Sequence, residues 1–471
     1  MRRLGLAFCV GLIAAGLLLA RPAQAKNVAA EILDILKANG QISEQQYRDL
    51  MIKAQAEDEK VEAASGLTQK VEGLEKNVGK KNFLAAYWKS GLRLDSADGK
   101  FKLKVGGRIM NDWAVYSTDE ELRRQFGRIG DGSEFRRARL FMEGSVYGNI
   151  KYKFQYDFAS SDPFKDAYIQ IKKVPMAGNF TVGHFKEPFS LEELTSSKYI
   201  TFMERSLPNV FSSGRNLGVR LNRSFMDKRA TAAFGFFRQG NPADTSSTFG
   251  NSGTYNATTR LTMLPWYVEK GRQLVHLGLS YRHAFHDENE RIRFRQRPEA
   301  HLGPRLVETP RFHVEDVDYF APEVALVYGP ASLQFEWMSA LADRPTGEDL
   351  HYNGYYIFGS FFLTGEHRPY KTSSGAFNRV KPKKNFDWKG GYGALELAAR
   401  YSMIDLNDED MNGGELSNFT FGVNWYLNPN VRIMLNYVRA MLDEDDCYYK
   451  GDMGDHCGDA DIVQARFQVD F

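Results

Sequence analysis

From residue 83 onward the chain alternates. In 151–158, Tyr152, Phe154, Tyr156 and Phe158 alternate with Lys151, Lys153, Gln155 and Asp157. On an extended strand successive side chains point to opposite faces, so the aromatics share one side and the polar groups the other. The pattern returns where Val275, Leu277, Leu279 and Tyr281 are set against His276, Gly278, Ser280 and Arg282, and again in 333–337, 395–401 and 419–425. A soluble sandwich alternates too. Three features favour a membrane barrel. The segments are about ten residues long, the length of a tilted bilayer crossing. Their polar face carries full charges, which suits a wet lumen. Aromatics make up 13% of the chain, as girdles at both membrane surfaces require. Residues 463–471 form a last strand ending at Phe471, which can pair with the first and leave no open edge in lipid. The expected fold is all-β, a transmembrane antiparallel barrel. Short connections at 148–149 and 428–430 contrast with long ones near 186–215, 285–320, 364–391 and 443–461, read as external loops opposite tight periplasmic turns.

Residues 26–82 follow a helical period instead. Val28, Ile32, Ile35 and Leu36 fall at helical spacing, and Asn39-Gly40 ends that run. Ser43 and Gln46 have the spacing of a capping box, with Ile42 and Tyr47 as its staple, which predicts a second helix through Ala54 and beyond. Ala64, Leu67, Val71, Leu74 and Val78 step by alternating threes and fours, a short heptad seam. Gly66 and Gly73 lie within it, each costing about 1 kcal/mol against Ala. The seam reads equally as a coiled coil or an amphipathic linker helix. The expected organisation is therefore a periplasmic helical or coiled-coil segment over 26–82 and a barrel domain over 83–471. Ahead of both, Met1-Arg2-Arg3, the apolar run from Leu4 to Ala20 and the small-x-small site Ala23-Gln24-Ala25 mark residues 1–25 as a secretory signal peptide.

Charge and cysteines narrow the partners. The formal charge of +2 falls to −1 once Arg2, Arg3 and Arg21 leave with the signal, so no nucleic acid is expected. Beyond the signal no run of ~18 apolar residues remains, and no transmembrane helix is expected. The mean hydropathy of −0.45 does not argue against a barrel, whose strands average out. Cys447 and Cys457 remain, and export to an oxidising compartment predicts a disulfide closing one loop. No Gly-x-Ser-x-Gly elbow, Walker loop or His-Glu-x-x-His is present, so neither catalysis nor a cofactor is expected. His283 and His286 lack a third ligand at metal-site spacing. The acidic run from Asp443 to Asp459 lacks calcium-loop spacing and reads first as a solvated external loop.

The basic residues say more. Arg291, Arg293, Arg295 and Arg297 occupy every second position. An extended chain lines them along one face about 6.5–7 Å apart. Guanidinium groups stay charged and grip oxyanions through forked hydrogen bonds. Several weak stations let an anion shed water and still leave. By spacing alone the row fits a pore lining or an external face that meets solvent or lipopolysaccharide. Arg136-Arg137-Ala138-Arg139 opens a strand, and Arg368, Lys371, Arg379, Lys381, Lys383, Lys384 and Lys389 crowd the 364–391 segment.

These residues sit among longer matches. Val105-Gly106-Gly107-Arg108, Phe135-Arg136-Arg137-Ala138, 190–198, Met203-Glu204-Arg205, 275–279, 363–366, 396–401 and 422–426 together resemble the phosphate-selective porin O and P family, in one order over about residues 100–471. The resemblance implies a barrel of about sixteen strands in the outer membrane of a Gram-negative-type cell, a likeness that also carries homotrimer assembly. It implies passive diffusion of small anions, phosphate or related oxyanions. It makes 186–215 the inward-folded constriction loop and places Arg291, Arg293 and Arg295 as a ladder in the fifth loop. It gives a central anion site of Arg108, Arg136, Arg137, Ser196, Arg205 and Lys371, with Lys381 on the approach. One position departs: Glu193 stands where phosphate-selective members carry a lysine. At about 4 Å and an effective dielectric near 20, each unit charge is worth about 4 kcal/mol. That weakens phosphate binding or shifts the preferred anion, unless neighbouring arginines neutralise Glu193. The alternative is a general or sugar-type diffusion porin without phosphate selectivity. Lipid and lipopolysaccharide of the outer membrane are the remaining expected partners.

Overall fold

The computed structural model describes residues 22–78, 84–240, 253–287, 290–442 and 458–471. Most of the signal segment lies outside the described residues, as do Cys447 and Cys457 with most of the acidic stretch around them. The chain forms two compact units that divide between Phe83 and Leu84.

The first unit holds α1 (Pro22–Ala38) and α2 (Glu44–Val78). The capping box closes in both directions. The Ser43 N–H donates to Gln46 Oε1 at 2.9 Å, and the Gln46 N–H donates to Ser43 Oγ at 3.2 Å. Lys37 pairs with Glu44 at 2.9 Å across the corner, and this contact holds the Glu44 carboxyl below its ordinary range. α2 continues through Gly66 and Gly73 without a break.

The second unit opens with a hairpin, β1 (Leu84–Trp88) and β2 (Leu92–Ser96), whose second strand pairs with the foot of β3. Among the described residues sixteen long strands follow. They are β3 (Phe101–Thr118), β4 (Gly132–Val146), β5 (Ile150–Asp157), β6 (Phe164–Val174), β7 (Gly178–Lys186) and β8 (Arg215–Phe225). Next come β9 (Ala230–Arg238), β10 (Tyr255–Val268), β11 (Gln273–Phe285), β12 (Asp316–Tyr328) and β13 (Ala331–Asp343). The last are β14 (Leu350–Phe362), β15 (Ala394–Asp408), β16 (Met411–Asn428), β17 (Val431–Leu442) and β18 (Asp459–Asp470). Each pairs antiparallel with the next, and β18 returns to β3 in register from Ala460 opposite Thr118 to Asp470 opposite Arg108. The ladder closes, so no barrel edge faces lipid. Closure depends on two glycines: a Cβ on Gly106 would lie 2.4 Å from the Phe471 carbonyl oxygen, and one on Gly107 2.7 Å from its ring.

Alternation sorts the two faces. Outward Leu261, Leu279, Phe421 and Phe467 are exposed, whereas inward Arg260, Ser280, Thr420 and Arg466 are buried. The exposed row is the lipid face. The buried row is covered by loops turned inward. Leu207, Phe211, Phe294 and Phe312 pack with Tyr319, Met338, Tyr352 and Val438 into an apolar core inside the external half of the barrel.

One expectation is corrected. The 364–391 segment was read as an external loop. It joins the foot of β14 to the foot of β15, at the end that carries the tight turns 147–149, 329–330 and 429–430 and the C-terminal Phe471. That end is the periplasmic one. Loop length does not set the side; the parity of the strands before it does. The residues 394–408 and 411–428 form one hairpin whose external turn is only two residues long, which hides the parity from a count of long loops.

Candidate functional site

At the end of β7 the chain turns into the lumen and stays there until Arg215. Ser190, at φ 65°, caps a single helical turn, Leu191–Leu194, by accepting the Glu193 N–H on its hydroxyl at 3.1 Å. The free N–H groups of Leu191 and Glu192 are taken by the Glu336 carboxylate of β13, at 2.9 and 2.8 Å. Further along, the Glu192 carboxylate accepts the Ser206 N–H at 3.0 Å and its hydroxyl at 2.7 Å, and pairs with Arg400 of β15 at 3.3 Å. Arg400 also donates to the Glu204 carbonyl and pairs with Glu299 of the 286–315 loop. The two inward loops are thus bolted to one another and to the β13–β15 wall by buried charge.

Two cavities remain along the opposite wall. The deeper, about 260 Å3, is lined by Arg108, Arg137, Arg139, Lys153, Lys186, Ser196, Ser197, Arg205, Arg215 and Arg220, with Asp166 its one lining carboxylate. The outer, about 330 Å3, is lined by Arg136, Arg205, Arg295, Arg297 and Arg305 with Glu204, Glu299 and His301. Arg205 borders both.

Half of these cations are closely matched. Arg139 pairs with Asp157 at 2.7 Å, Lys153 and Arg215 share Asp166, and Arg136 grips Glu204 through two hydrogen bonds of 2.8 and 2.9 Å. Glu193 is held between Lys186 at 2.7 Å and Arg205 at 3.1 Å. Its charge is therefore compensated within the loop, the outcome that the departure from the lysine pattern left open.

Three guanidiniums of the deeper cavity are left over. Arg108 donates to the Ser197 hydroxyl at 2.7 Å. Arg137 approaches Glu204 only at 3.9 Å, and its Nε has no acceptor among the described residues. Arg220 lies 4.8 Å from the Phe185 ring centroid, and its Nε likewise lacks an acceptor. Buried donors without acceptors are costly.

The structure gathers only part of the set named from the sequence. Arg108, Arg137, Ser196 and Arg205 line the deeper cavity, and Arg136, Arg205 and Arg295 the outer one. Arg291 and Arg293 lie further along the loop: Arg291 donates to His313 at 2.8 Å, and Arg293 pairs with Glu308. The alternation there is real, because the intervening Phe294 is buried against Phe211 and Tyr352 while the arginines face away. Lys371 sits on the periplasmic segment within electrostatic reach of Lys151, Lys153 and Glu143. Lys381 is exposed on the same segment and borders neither cavity. Sequence reasoning missed Lys186, Arg215, Arg220 and Arg305. Strand parity was the available signal for Arg220, which pairs with buried Thr181 and lies between outward Val219 and Leu221; Lys186 and Arg215 pair with one another at the strand ends, five positions away and off that parity.

The family profile for phosphate-selective porin O and P matches residues 103–471. The chain belongs to that family. It is an outer-membrane porin of a Gram-negative-type envelope. Porin O of Pseudomonas aeruginosa is 26% identical over 423 residues, covering 80% of this chain and 91% of that protein. An uncharacterized protein of Caulobacter vibrioides is 30% identical over 395 residues, covering 82% of this chain and 76% of its own length. Among solved structures, the anion-selective porin from Comamonas acidovorans aligns with a TM-score of 0.47 at 13% identity, over 79% of this chain and all of that one.

Proposed function

We propose that this porin passes small oxyanions, phosphate among them, along the β3–β8 wall by passive diffusion. The observation that carries the reading is the trio Arg108, Arg137 and Arg220, cations without a close carboxylate around one cavity. An anion arriving from outside meets Arg295, Arg297 and Arg305, passes Arg205, and reaches the trio with Ser196 and Ser197 beside it. Lys371 and Lys381 attract it on the periplasmic side. Each station binds by hydrogen bonding and charge and breaks no covalent bond, so the protein is read as a channel and not an enzyme. Several stations of moderate strength allow passage where one strong site would trap the ion.

Assembly as a homotrimer is part of the same reading, as is contact with lipopolysaccharide at the external end. α2 and its heptad positions are read as a clamp on that assembly. Deleting residues 26–80 should lower the temperature at which the trimer dissociates in detergent.

Planar-bilayer recording tests the transport claim. The reversal potential in a salt gradient should show anion preference, and added phosphate should block chloride current in proportion to its occupancy of the deeper cavity. Cation preference overturns the proposal. Anion preference without phosphate block favours the general diffusion porin.

A further inference from the structure

The periplasmic segment 363–393 has two parts that face opposite ways. Tyr370 and Gly375 turn into the lumen, where the Tyr370 hydroxyl meets His276 Nδ1 at 2.7 Å and Arg260 donates to the Gly375 carbonyl at 2.7 Å. Residues 384–392 turn outward. Phe386 lies edge-on to Trp425, centroids 5.1 Å apart, and Trp388 lies edge-on to Phe386 at 4.6 Å. The Trp425 indole N–H donates to the Tyr392 carbonyl at 2.8 Å. Trp425 is on the lipid face, because its neighbours Asn424 and Tyr426 are buried inward, bonded to Thr201 and Glu396.

The crown these residues make is exposed and built. Trp388 is 89% exposed and Tyr392 77%. Trp388 stands at φ 59°, a conformation unusual for a bulky side chain. It is kept there by Asp387, whose carboxylate accepts the N–H groups of Lys389 and Gly391, each at 2.8 Å. Those two bonds also hold the Asp387 carboxyl below its ordinary range. Gly391 completes the turn, since a Cβ there would lie 1.9 Å from the Asn385 carbonyl oxygen. A strained aromatic held out into its surroundings marks a functional position. Below it runs a continuous apolar wall: Leu395 pairs with Trp425, Phe361 with Leu397, and Leu397 with Val423. Lys384 and Lys389 flank the tip, both exposed, and the only acid in 381–392 is the occupied Asp387.

We propose that this crown binds the anionic headgroup of a phosphatidylglycerol-class phospholipid in the periplasmic leaflet. Lys384 and Lys389 meet the phosphate, Trp388 and Tyr392 sit at the headgroup level, and the acyl chains lie along Leu395, Leu397 and Val423. Aromatic rings with one polar edge belong at that depth. Two lysines against the single carboxylate of Asp387, which already accepts two N–H groups, leave a net positive charge that matches a phosphodiester and gives no such advantage to a zwitterionic headgroup.

Native mass spectrometry of the full porin, released from membranes holding equal phosphatidylglycerol and phosphatidylethanolamine, tests this. Wild-type protein should retain phosphatidylglycerol in preference. At about fivefold per lysine lost, the Lys384→Glu/Lys389→Glu variant, which also adds two negative charges, should lower that retention by at least roughly thirtyfold. The Lys384→Gln/Lys389→Gln variant should lower it in the same direction, and unchanged heat-modifiable migration shows that each variant has folded. Equal retention of both lipids by wild type, or undiminished preference in the folded variants, overturns the proposal. So does loss of the preference on adding millimolar inorganic phosphate, which would make the crown a free-phosphate site. Phosphate block of chloride current should be unchanged in both variants, so this result and the transport result stand or fall separately.

Discussion

On the β3–β8 side of the lumen the inward positions include Arg108, Arg139, Lys153, Asp166 and Arg220. On the β11–β18 side the inward positions of the external half are Ala284, Tyr319, Met338, Ala340, Tyr352, Ile404, Leu406, Val438 and Ile462. Both walls obey the same alternation, and both turn apolar residues toward lipid. What differs is the partner of the inward face. The apolar wall receives Leu207, Phe211, Phe294 and Phe312 from the two inward loops, which excludes water there. The charged wall receives almost nothing apolar and keeps the open path. On the proposed reading, selectivity comes from this asymmetry: with the other side packed shut, ions pass along the charged wall.

The largest effect should follow from reversing charge on the open wall. In Arg108→Glu the anion-to-cation permeability ratio should fall by at least about tenfold, since two units of charge change within about 4 Å of a passing ion. Reversal potential in a potassium chloride gradient reads it. An unchanged potential would mean that current does not run along this wall.

Next is Glu193→Gln. It removes the carboxylate that Lys186 and Arg205 share, so the open wall gains one unit of uncompensated positive charge. Phosphate should then block chloride current at about tenfold lower concentration, a change of about 1.4 kcal/mol. Weaker block would show that the compensated geometry, and not net charge, is what the anion recognises.

On the packed wall, Phe294→Ala removes a ring that touches Phe211 and Tyr352, both with centroids 5.4 Å away. Loss of such a core ring costs about 3–5 kcal/mol. The 286–315 loop should loosen and open-channel current become larger and noisier, while anion preference keeps its sign and the barrel keeps its heat-modifiable migration. Loss of anion preference would show that the packed side also sets selectivity.

How much of this asymmetry the sequence disclosed depended on the physics of each part. Strands such as 275–281 and 419–425 declared themselves because a two-residue period survives any tertiary context in which one face meets lipid. The Arg291–Arg297 row was legible as one face of an extended segment because Phe294 between the arginines turns the other way, into the interior core. Which end of the barrel held 364–391 was not, because it depends on counting every strand before it. Nor was the pairing of Glu193, since Lys186 is local but Arg205 returns only through the fold of the loop. A signal for the packed wall was present and went unread. At 338–342 and 438–442 every inward position is apolar, Met338, Ala340, Ala342, Val438, Ala440 and Leu442, which a strand facing water on its inner side has no reason to show.

The smallest effect sharpens the comparison through salt. Arg293 lies on the external loop, partly exposed and paired with Glu308, away from both cavities. Pairs of this kind contribute about 0–1 kcal/mol, so Arg293→Glu should reduce anion conductance about twofold near 0.1 M salt, by weakening attraction at the mouth. At 1 M the screening length is only about 3 Å, and that difference should vanish. Arg108 is buried, where mobile ions screen poorly, so the Arg108→Glu defect should persist at 1 M. Conductance of both variants measured across that salt range separates the mouth from the constriction. If the Arg293→Glu defect also survives at 1 M, then Arg293 touches the passing ion directly, and the ladder extends past Arg295 as a true lining of the path.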